Sequence, residues 1–322
     1  MTNSVIALGV IGAGVMGERL VRAALDHARD SVRIAGVWDP SSAAMARVAA
    51  ASPDIIQFKT ADELIAASDC VYVASPPASH LGHGRAALRA GKALFCEKPL
   101  AVDVADARAF VAEAGDRAAV NFPFASSFAI DRLKQWIAEG AIGAPQRLTI
   151  TIDFKTWPRP WQMDAARWLD ARAEGGFTRE VVSHFLFLTL RLAGSISNLK
   201  GRAEFPLADR SERMISAEFS AGGLPATLIG RVGETDKDDH NLWTLEGDKG
   251  AVRLRDWSIA ERLDGDAWSP DPDAMPQDRA RPLTLKRQLE AVAAMTRGQA
   301  HQLATLQEAL GVQEAVETIL RG

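Results

Sequence analysis

Through the first 121 residues, short apolar runs alternate with longer amphipathic segments. The first run covers residues 5–11 and predicts a buried strand. A helix is expected from about Met16 to His27, and a second strand over Val32–Trp38, ending at Asp39. Pro40 and Ser41 then open another helix, proline being tolerated at an early helical position. The pattern continues with a strand near Gln57–Lys59, a helix over Asp62–Ala67 and a strand over Cys70–Ala74. A helix over Ser79–Ala90, a strand over Lys92–Cys96, a helix over Val104–Ala114 and a strand over Ala118–Asn121 follow. Such alternation predicts a parallel, doubly wound sheet.

After Asn121 the period changes. A helix from about Ser126 ends before Gly140, a common C-terminal stop. Leu148, Ile150 and Ile152 then alternate with Thr149, Thr151 and Asp153 in the clearest of several half-buried strands. Met214–Phe219, Ala226–Val232, Asn241–Glu246 and Ala251–Leu254 repeat the theme, separated by Gly- and Asp-rich turns. This predicts a largely antiparallel open sheet with one face exposed or covered by a partner. Asp264–Pro282 reads as a loop, and Lys286–Met295 and Ala304–Leu320 as closing helices. The expected organisation is an α/β domain over residues 1–121 followed by an α+β domain over residues 122–322.

The bulk properties narrow the partners. The 322 residues suffice for two domains, with 47% hydrophobic and 24% charged residues. A net charge of −4 gives no electrostatic case for nucleic acid or an anionic membrane. No apolar run reaches the length of a membrane span. Cys70 and Cys96 lie in strand-like runs and read as buried reduced thiols, which fits a cytoplasmic location. No cysteine pair at zinc spacing and no His-x-x-x-His pair is present, so no metal is expected.

Gly12, Gly14 and Gly17 follow the first strand and open the first helix. With Val15 and Met16 they form a turn that lets backbone approach a pyrophosphate at a helix N-terminus. Asp39, at the end of the second strand, is placed to accept hydrogen bonds from the adenosine ribose and to repel a 2′-phosphate. No Arg or Lys immediately follows it, so the expected cofactor is NAD, with NADP disfavoured. Ser75, Pro76 and Pro77 form a stiff turn suited to the nicotinamide half. His80 reads either as a helix-start residue or as part of that support.

Two segments carry candidate chemistry. Glu97-Lys98-Pro99 ends the fourth predicted main strand, at the carboxyl edge where ligands lie in such sheets. Lys98 can stabilise developing negative charge on a substrate oxygen, with Glu97 holding it and Pro99 stiffening the turn, a cis bond being one way to do so. The competing reading is a surface lysine before a proline turn. In the second segment Val181, Phe185, Leu188 and Leu192 form an apolar helical stripe. Glu180 and His184 project four residues apart from a neighbouring face, as a general acid/base with an orienting carboxylate or as a plain surface pair. Trp157, Trp161 and Trp168, interleaved with Arg159, Arg167 and Arg172, line a pocket or pack and solvate a loop; Arg179 joins the candidate substrate contacts.

These pieces together resemble the glucose–fructose oxidoreductase and inositol dehydrogenase family over nearly the full chain. The resemblance rests on Gly12-x-Gly14-x-x-Gly17, Ser75-Pro76-Pro77-x-x-His80 and the run from Ala90 to Leu100 that holds Glu97-Lys98-Pro99. It rests further on the run from Glu139 to Pro145 and on Gly175-Gly176 with His184. It implies that residues 1–121 form a Rossmann dinucleotide-binding domain and 122–322 a substrate-binding and oligomerisation domain, that Lys98 contacts substrate and that His184 is the catalytic histidine. Three positions depart from the family pattern. Glu180 stands where the family has Asp, Val182 where it has Gly, and the segment that often holds Asn-x-Arg reads Asn121-Phe122-Pro123-Phe124, without an arginine. They predict a reshaped, more apolar pocket. The expected activity is NAD-dependent oxidation, or the reverse reduction, at a secondary alcohol or hemiacetal carbon of a sugar, cyclitol or related polyol. Two other readings are a glycosidase or lyase working through transient oxidation and elimination, and a non-catalytic NAD-binding regulator. A homo-oligomer, dimer or tetramer, is expected.

Overall fold

The computed structural model describes residues 4–322, which fall into two compact units. The first comprises Met1–Ser126 with Arg281–Leu310, and the second Ser127–Ala280 with Gly311–Gly322.

In the first unit the elements run β1 (Ile6–Ile11), α1 (Val15–His27), β2 (Val32–Trp38), α2 (Ser42–Ala51), α3 (Ala61–Ala66), β3 (Cys70–Val73), α4 (Pro77–Arg89), β4 (Ala93–Cys96), α5 (Val104–Glu113) and β5 (Ala118–Val120). All five strands are parallel in the order β2-β1-β3-β4-β5, the doubly wound arrangement expected. Local chemistry sets the boundaries. Thr60 and Glu63 form a reciprocal capping box on α3, and Asp103 accepts from two backbone N–H groups at the start of α5. The strand expected near Gln57–Lys59 is a single bridge, Val37 to Gln57, because the segment touches the sheet edge too briefly to form a ladder.

The expected division at residue 121 is contiguous, whereas the compact first unit is not. Leu285, Leu289, Val292, Met295 and Leu303 are buried in one cluster with Leu8, Val10, Tyr72 and Phe95. Burying this apolar stripe against the sheet groups the segment with the first unit.

The second unit contains α6 (Phe128–Ala138), β6 (Pro145–Phe154), a short α7 (Ala166–Leu169), α8 (Ser183–Leu192) and β7 (Ile196–Glu204). Then come β8 (Met214–Ala221), β9 (Leu224–Val232), β10 (His240–Gly247), β11 (Ala251–Arg255), β12 (Ile259–Asp264) and β13 (Ala267–Pro270). The sheet order is β13-β12-β11-β10-β6-β9-β8-β7, antiparallel except for the β6–β9 pair. Leu148, Ile150 and Ile152 are fully buried beneath the helical layer, and the Trp243 indole donates to Thr189 Oγ1 of α8 at 3.0 Å. Thr227 and Ile229 lie exposed on the other face.

β7, β12 and β13 exceed the sequence expectation, as does the start of α9 (Gln277–Thr296), which lies inside the expected Asp264–Pro282 loop. Pro282 sits within α9 and reads from sequence as a breaker. β13 is a short edge strand ending in proline, a signal too weak to register. α10 (Leu306–Arg321) closes the chain.

One charged pair across β11 and β12 gives a test of this sheet. Glu261 is 4% exposed and directly opposes Arg253, whose Nε donates to Oε2 at 2.5 Å; Arg255 donates to Oε1 at 3.0 Å. Burial pushes the Glu261 carboxyl up, but the Arg255 and Arg253 hydrogen bonds outweigh it and hold the group below its ordinary value. A depressed carboxyl adds stability above its unfolded value, and that stability is lost as pH falls through the folded value. Glu261→Gln should therefore cost about 1–3 kcal/mol near neutral pH. The gap from the parent should close in acid; urea unfolding at several pH values measures it, and a pH-independent gap would remove the charge from the explanation.

Candidate active site

The glycine turn sits at the carboxyl end of β1 and leads into α1. Gly12 has φ +102°, and a Cβ there would lie 2.6 Å from the Ala74 backbone. The turn is therefore pressed against the end of β3, which only glycine permits. A Cβ on Gly17 would sit 1.9 Å from the Gly12 carbonyl oxygen. Gly14 differs: a Cβ there would meet nothing within 4 Å. No side chain caps α1, so the first-turn N–H groups around Val15 and Met16 have no side-chain acceptor from the cap position. Asp39 braces the turn, accepting from Ala13 N–H at 2.8 Å through Oδ2 and from Ser41 N–H at 2.8 Å through Oδ1. That bracing role is additional to anything the sequence assigned it.

The same edge carries the next two turns. Pro76 and Pro77 open α4, and the Ser75 and Ser79 hydroxyls share a hydrogen bond of 2.7 Å. His80 is 1% exposed and joins two turns: Nδ1 lies 2.8 Å from the Pro99 carbonyl oxygen and Nε2 lies 2.7 Å from that of Ser75. Either neutral tautomer donates to one of them, and an imidazolium donates to both. The Lys98–Pro99 bond is cis, and Lys98 is half-buried just beyond β4.

Glu97 is the pivot of this edge. It is 7% exposed, and its Oε1 accepts from the Tyr72 hydroxyl and, at 2.6 Å, from the Asn121 side-chain amide. Gln288, from α9, donates to Asn121 Oδ1 at 2.7 Å. Burial, then the Glu97 charge, holds the Tyr72 hydroxyl well above its ordinary value. Tyr72 is the sole tyrosine of the chain, and a tyrosine in a fully buried strand needs a hydroxyl partner. That was the available signal for this network; Gln288 had none.

In the second unit, the helix bearing His184 begins as a π turn, Thr178–Val182, and continues as α8. π turns occur mostly as single insertions and often at functional sites. The buried Glu212 carboxylate accepts from the Thr178 N–H at 2.7 Å and so caps the turn. Gly176, at φ +111°, makes room for it: a Cβ there would lie 2.6 Å from Glu212 Oε2. Glu180 and His184 are both half-buried. His184 meets the indole of Trp257 edge-on, with ring centroids 5.6 Å apart and planes at 76°. The Trp257 Nε1–H donates to Asp239 Oδ2 at 2.8 Å, and burial holds the Asp239 carboxyl above its ordinary value. Neither Trp257 nor Asp239 carried a sequence signal, because both lie in turns far along the chain from His184.

The expected substrate residues divide. Trp157 is 6% exposed, its indole donates to the Leu169 carbonyl at 3.3 Å, and it packs edge-on against Phe154 and Phe177. It is a core residue, so the packing alternative holds there. Arg179 makes a two-point ion pair with Glu317 at 2.6 and 2.9 Å and donates to the Arg172 and Gly175 carbonyls. Its guanidinium is committed to holding the 172–175 loop to α10 and is not a substrate contact. Trp161 is 48% exposed beneath the Arg159 guanidinium, Arg167 is exposed and Trp168 half-buried. Among the described residues, no three His, Cys, Asp or Glu side chains gather as metal ligands, and no helix is long and apolar enough to cross a membrane.

Comparison with known proteins places the chain. Residues 6–122 match the model of an oxidoreductase family with an NAD-binding Rossmann fold. Inositol 2-dehydrogenase from Rhizobium meliloti is 30% identical over 250 residues, spanning 77% of this chain and 68% of that protein. The chain belongs to the glucose–fructose oxidoreductase and inositol dehydrogenase family. Inositol 2-dehydrogenase from Cereibacter sphaeroides is 38% identical over 117 residues, 34% of this chain and 33% of its own length. Several other curated family members are likewise matched over only about a third to a half of their length. An oxidoreductase from Thermotoga maritima superposes with a TM-score of 0.83 at 18% identity, covering 99% of this chain and 96% of that one, a likeness of fold.

The residues fit the cofactor that the family's fold is described as binding. The turn is backed by glycines that must be glycines for the fold, whereas the space over Gly14 serves no packing purpose. Gly14→Val should therefore fold with near-parental thermal stability yet lose NAD affinity by at least about tenfold, or 1.4 kcal/mol. Titration by tryptophan fluorescence beside a thermal melt separates the two effects. Unchanged affinity would show that no ligand occupies the space over Gly14.

Proposed function

We propose that this chain is an NAD-dependent dehydrogenase or reductase acting on a secondary alcohol or hemiacetal carbon of a cyclitol, sugar or related polyol. The observation that carries the reading is the placement of Lys98. It follows β4 on the same carboxyl edge as the glycine turn, Asp39 and the Ser75–Pro77 turn, within a Rossmann unit matched to the NAD-binding family. When bound, the nicotinamide supplies the two-electron acceptor for the hydrogen on the substrate carbon.

The chain's own residues do the rest. Gly12, Gly14 and Gly17, with the first-turn backbone of α1, receive the pyrophosphate, and Asp39 receives the ribose hydroxyls. Held by two backbone N–H groups, Asp39 is a fixed negative charge that a 2′-phosphate would meet directly. NAD should bind at least about tenfold tighter than NADP, a difference of about 1.4 kcal/mol. Lys98 offers its ammonium to the substrate oxygen as negative charge develops there. His184 accepts the hydroxyl proton, and Glu180, one turn earlier, orients its ring. Trp161, Arg167 and Trp168 remain the candidate substrate contacts. The open face of the second-unit sheet, with Ile229 41% and Met214 38% exposed, supports a homo-oligomer built on that face.

A panel of cyclitols, sugars and sugar acids, read as NADH formation at 340 nm, tests the activity. Product analysis without added NAD would reveal elimination chemistry instead. Lys98→Ala should reduce turnover about 10²–10³-fold and His184→Ala about 10²–10⁴-fold. NAD affinity should hardly change in either, since its contacts lie elsewhere. In the oxidation direction the pH profile should require one deprotonated group, and that limb should vanish in His184→Ala. Near-full turnover in His184→Ala would move the base assignment to Lys98 or Glu180.

A further inference from the structure

Trp257 sits where a bulky residue is not expected. Asp256 and Trp257, in the β11–β12 turn, have φ of +47° and +73°. Tight hairpins that need positive φ ordinarily use Gly or Asn, and a bulky residue there is held against a steric cost. Strain of this kind concentrates at functional sites, where the surroundings over-determine it. Burial of the indole does not account for it, because Trp257 is only half-buried. What the turn achieves is orientation. The indole N–H is directed onto Asp239 Oδ2, and Asp239 is itself held by the Asn241 side-chain amide at 2.6 Å and faces the Arg159 guanidinium at 3.4 Å. The ring so anchored meets His184 edge-on and lies 5.3 Å, centroid to centroid, from Phe185.

We infer that Trp257 is a positioning residue: the strained turn and the Asp239 anchor hold its indole as a stop that fixes the imidazole of His184 in one orientation. A histidine side chain has several staggered rotamers to choose among. A base must present one nitrogen to one proton, and a ring packed edge-on against the imidazole narrows the orientations in which it can do so. The importance of this for turnover rests on the function proposed above. The placement of the ring does not.

The test therefore has two readouts on the full chain. Histidine Cε1–H signals are recorded for the parent, with His184→Gln identifying the His184 resonance. In the parent that resonance should be displaced by the indole ring current; in Trp257→Ala it should move towards the position of an exposed histidine. Trp257→Phe, which keeps an aromatic ring but not the N–H to Asp239, should lie between the two. Should Trp257→Ala fail to fold, Trp257→Phe alone decides. A His184 resonance unmoved by either substitution overturns the proposal, whatever the activity. For a substrate found by the NAD panel, Trp257→Ala should lower kcat by about tenfold or more. KM for NAD should stay within about twofold, and Trp257→Phe should recover part of kcat. A loss confined to KM, or equal in both folded variants, also overturns it. A parent that turns over nothing in the panel sinks the proposed function and leaves the resonance measurement to decide the placement.

Discussion

A carboxylate taken out of water must be satisfied where it lies, and Glu97 is that carboxylate here. Two of its donors come from the neighbouring strand β3 and from the residue just after β5, and Asn121 in turn takes a donor from α9. One buried charge thus gathers three strand ends and a helix far along the chain. Buried polar networks have this property: complete, they specify one arrangement, and incomplete, they are worse than an apolar core. Lys98 is the next residue, so the position of the proposed reactive amine is inherited from its neighbour's demand for partners. His80 adds a second tie to the same turn from α4.

The second unit reaches its end by different means. His184 stands on a helix whose first turn is a π turn, capped by the side chain of Glu212 and opened by a glycine with positive φ. Opposite it, Trp257 is held in a turn that disfavours it. The proposed lysine is thus held by a satisfied charge in its own unit, and the proposed histidine by accumulated local irregularity in its own. Each device fits its element. Strand ends in a parallel sheet bring donors together cheaply, whereas a helix surface needs something beside it to stop a ring from turning.

Much of this was legible in the sequence, and the reasons are particular. Val32–Trp38 was readable to the residue because an apolar run ends at a charged residue followed by Pro and Ser. The alternation of Leu148, Ile150 and Ile152 reported a sheet with one covered face, because a period of two survives any packing detail. Glu97-Lys98-Pro99 could be placed at a strand end, but the direction of the Glu97 side chain could not, since Tyr72 and Asn121 lie 25 and 24 residues away in sequence. Trp157 and Arg179 show the opposite failure. Aromatic and guanidinium groups have the same local signature whether they meet a ligand, a core or a carboxylate, and only the fold reveals that Glu317 waits for Arg179. Pro282 inside α9 and the edge strand β13 were hidden by residues whose usual meaning is termination.

The first unit is written in two pieces, Met1–Ser126 and Arg281–Leu310. A chain emerging from the ribosome delivers the five parallel strands early and the segment that covers their shared core only after most of the second unit. Residues 127–280 separate the two, which at about 5–20 residues per second is roughly eight to thirty seconds of synthesis. Throughout that interval Leu8, Val10, Tyr72 and Phe95 lack Leu289, Val292 and Met295, and Asn121 lacks Gln288. The nascent Rossmann sheet is therefore an unfinished surface, apolar and open, during most of the time the second unit is being made. The exposure of the nascent chain to stray apolar contacts is set there, by the order in which the halves of one core are delivered.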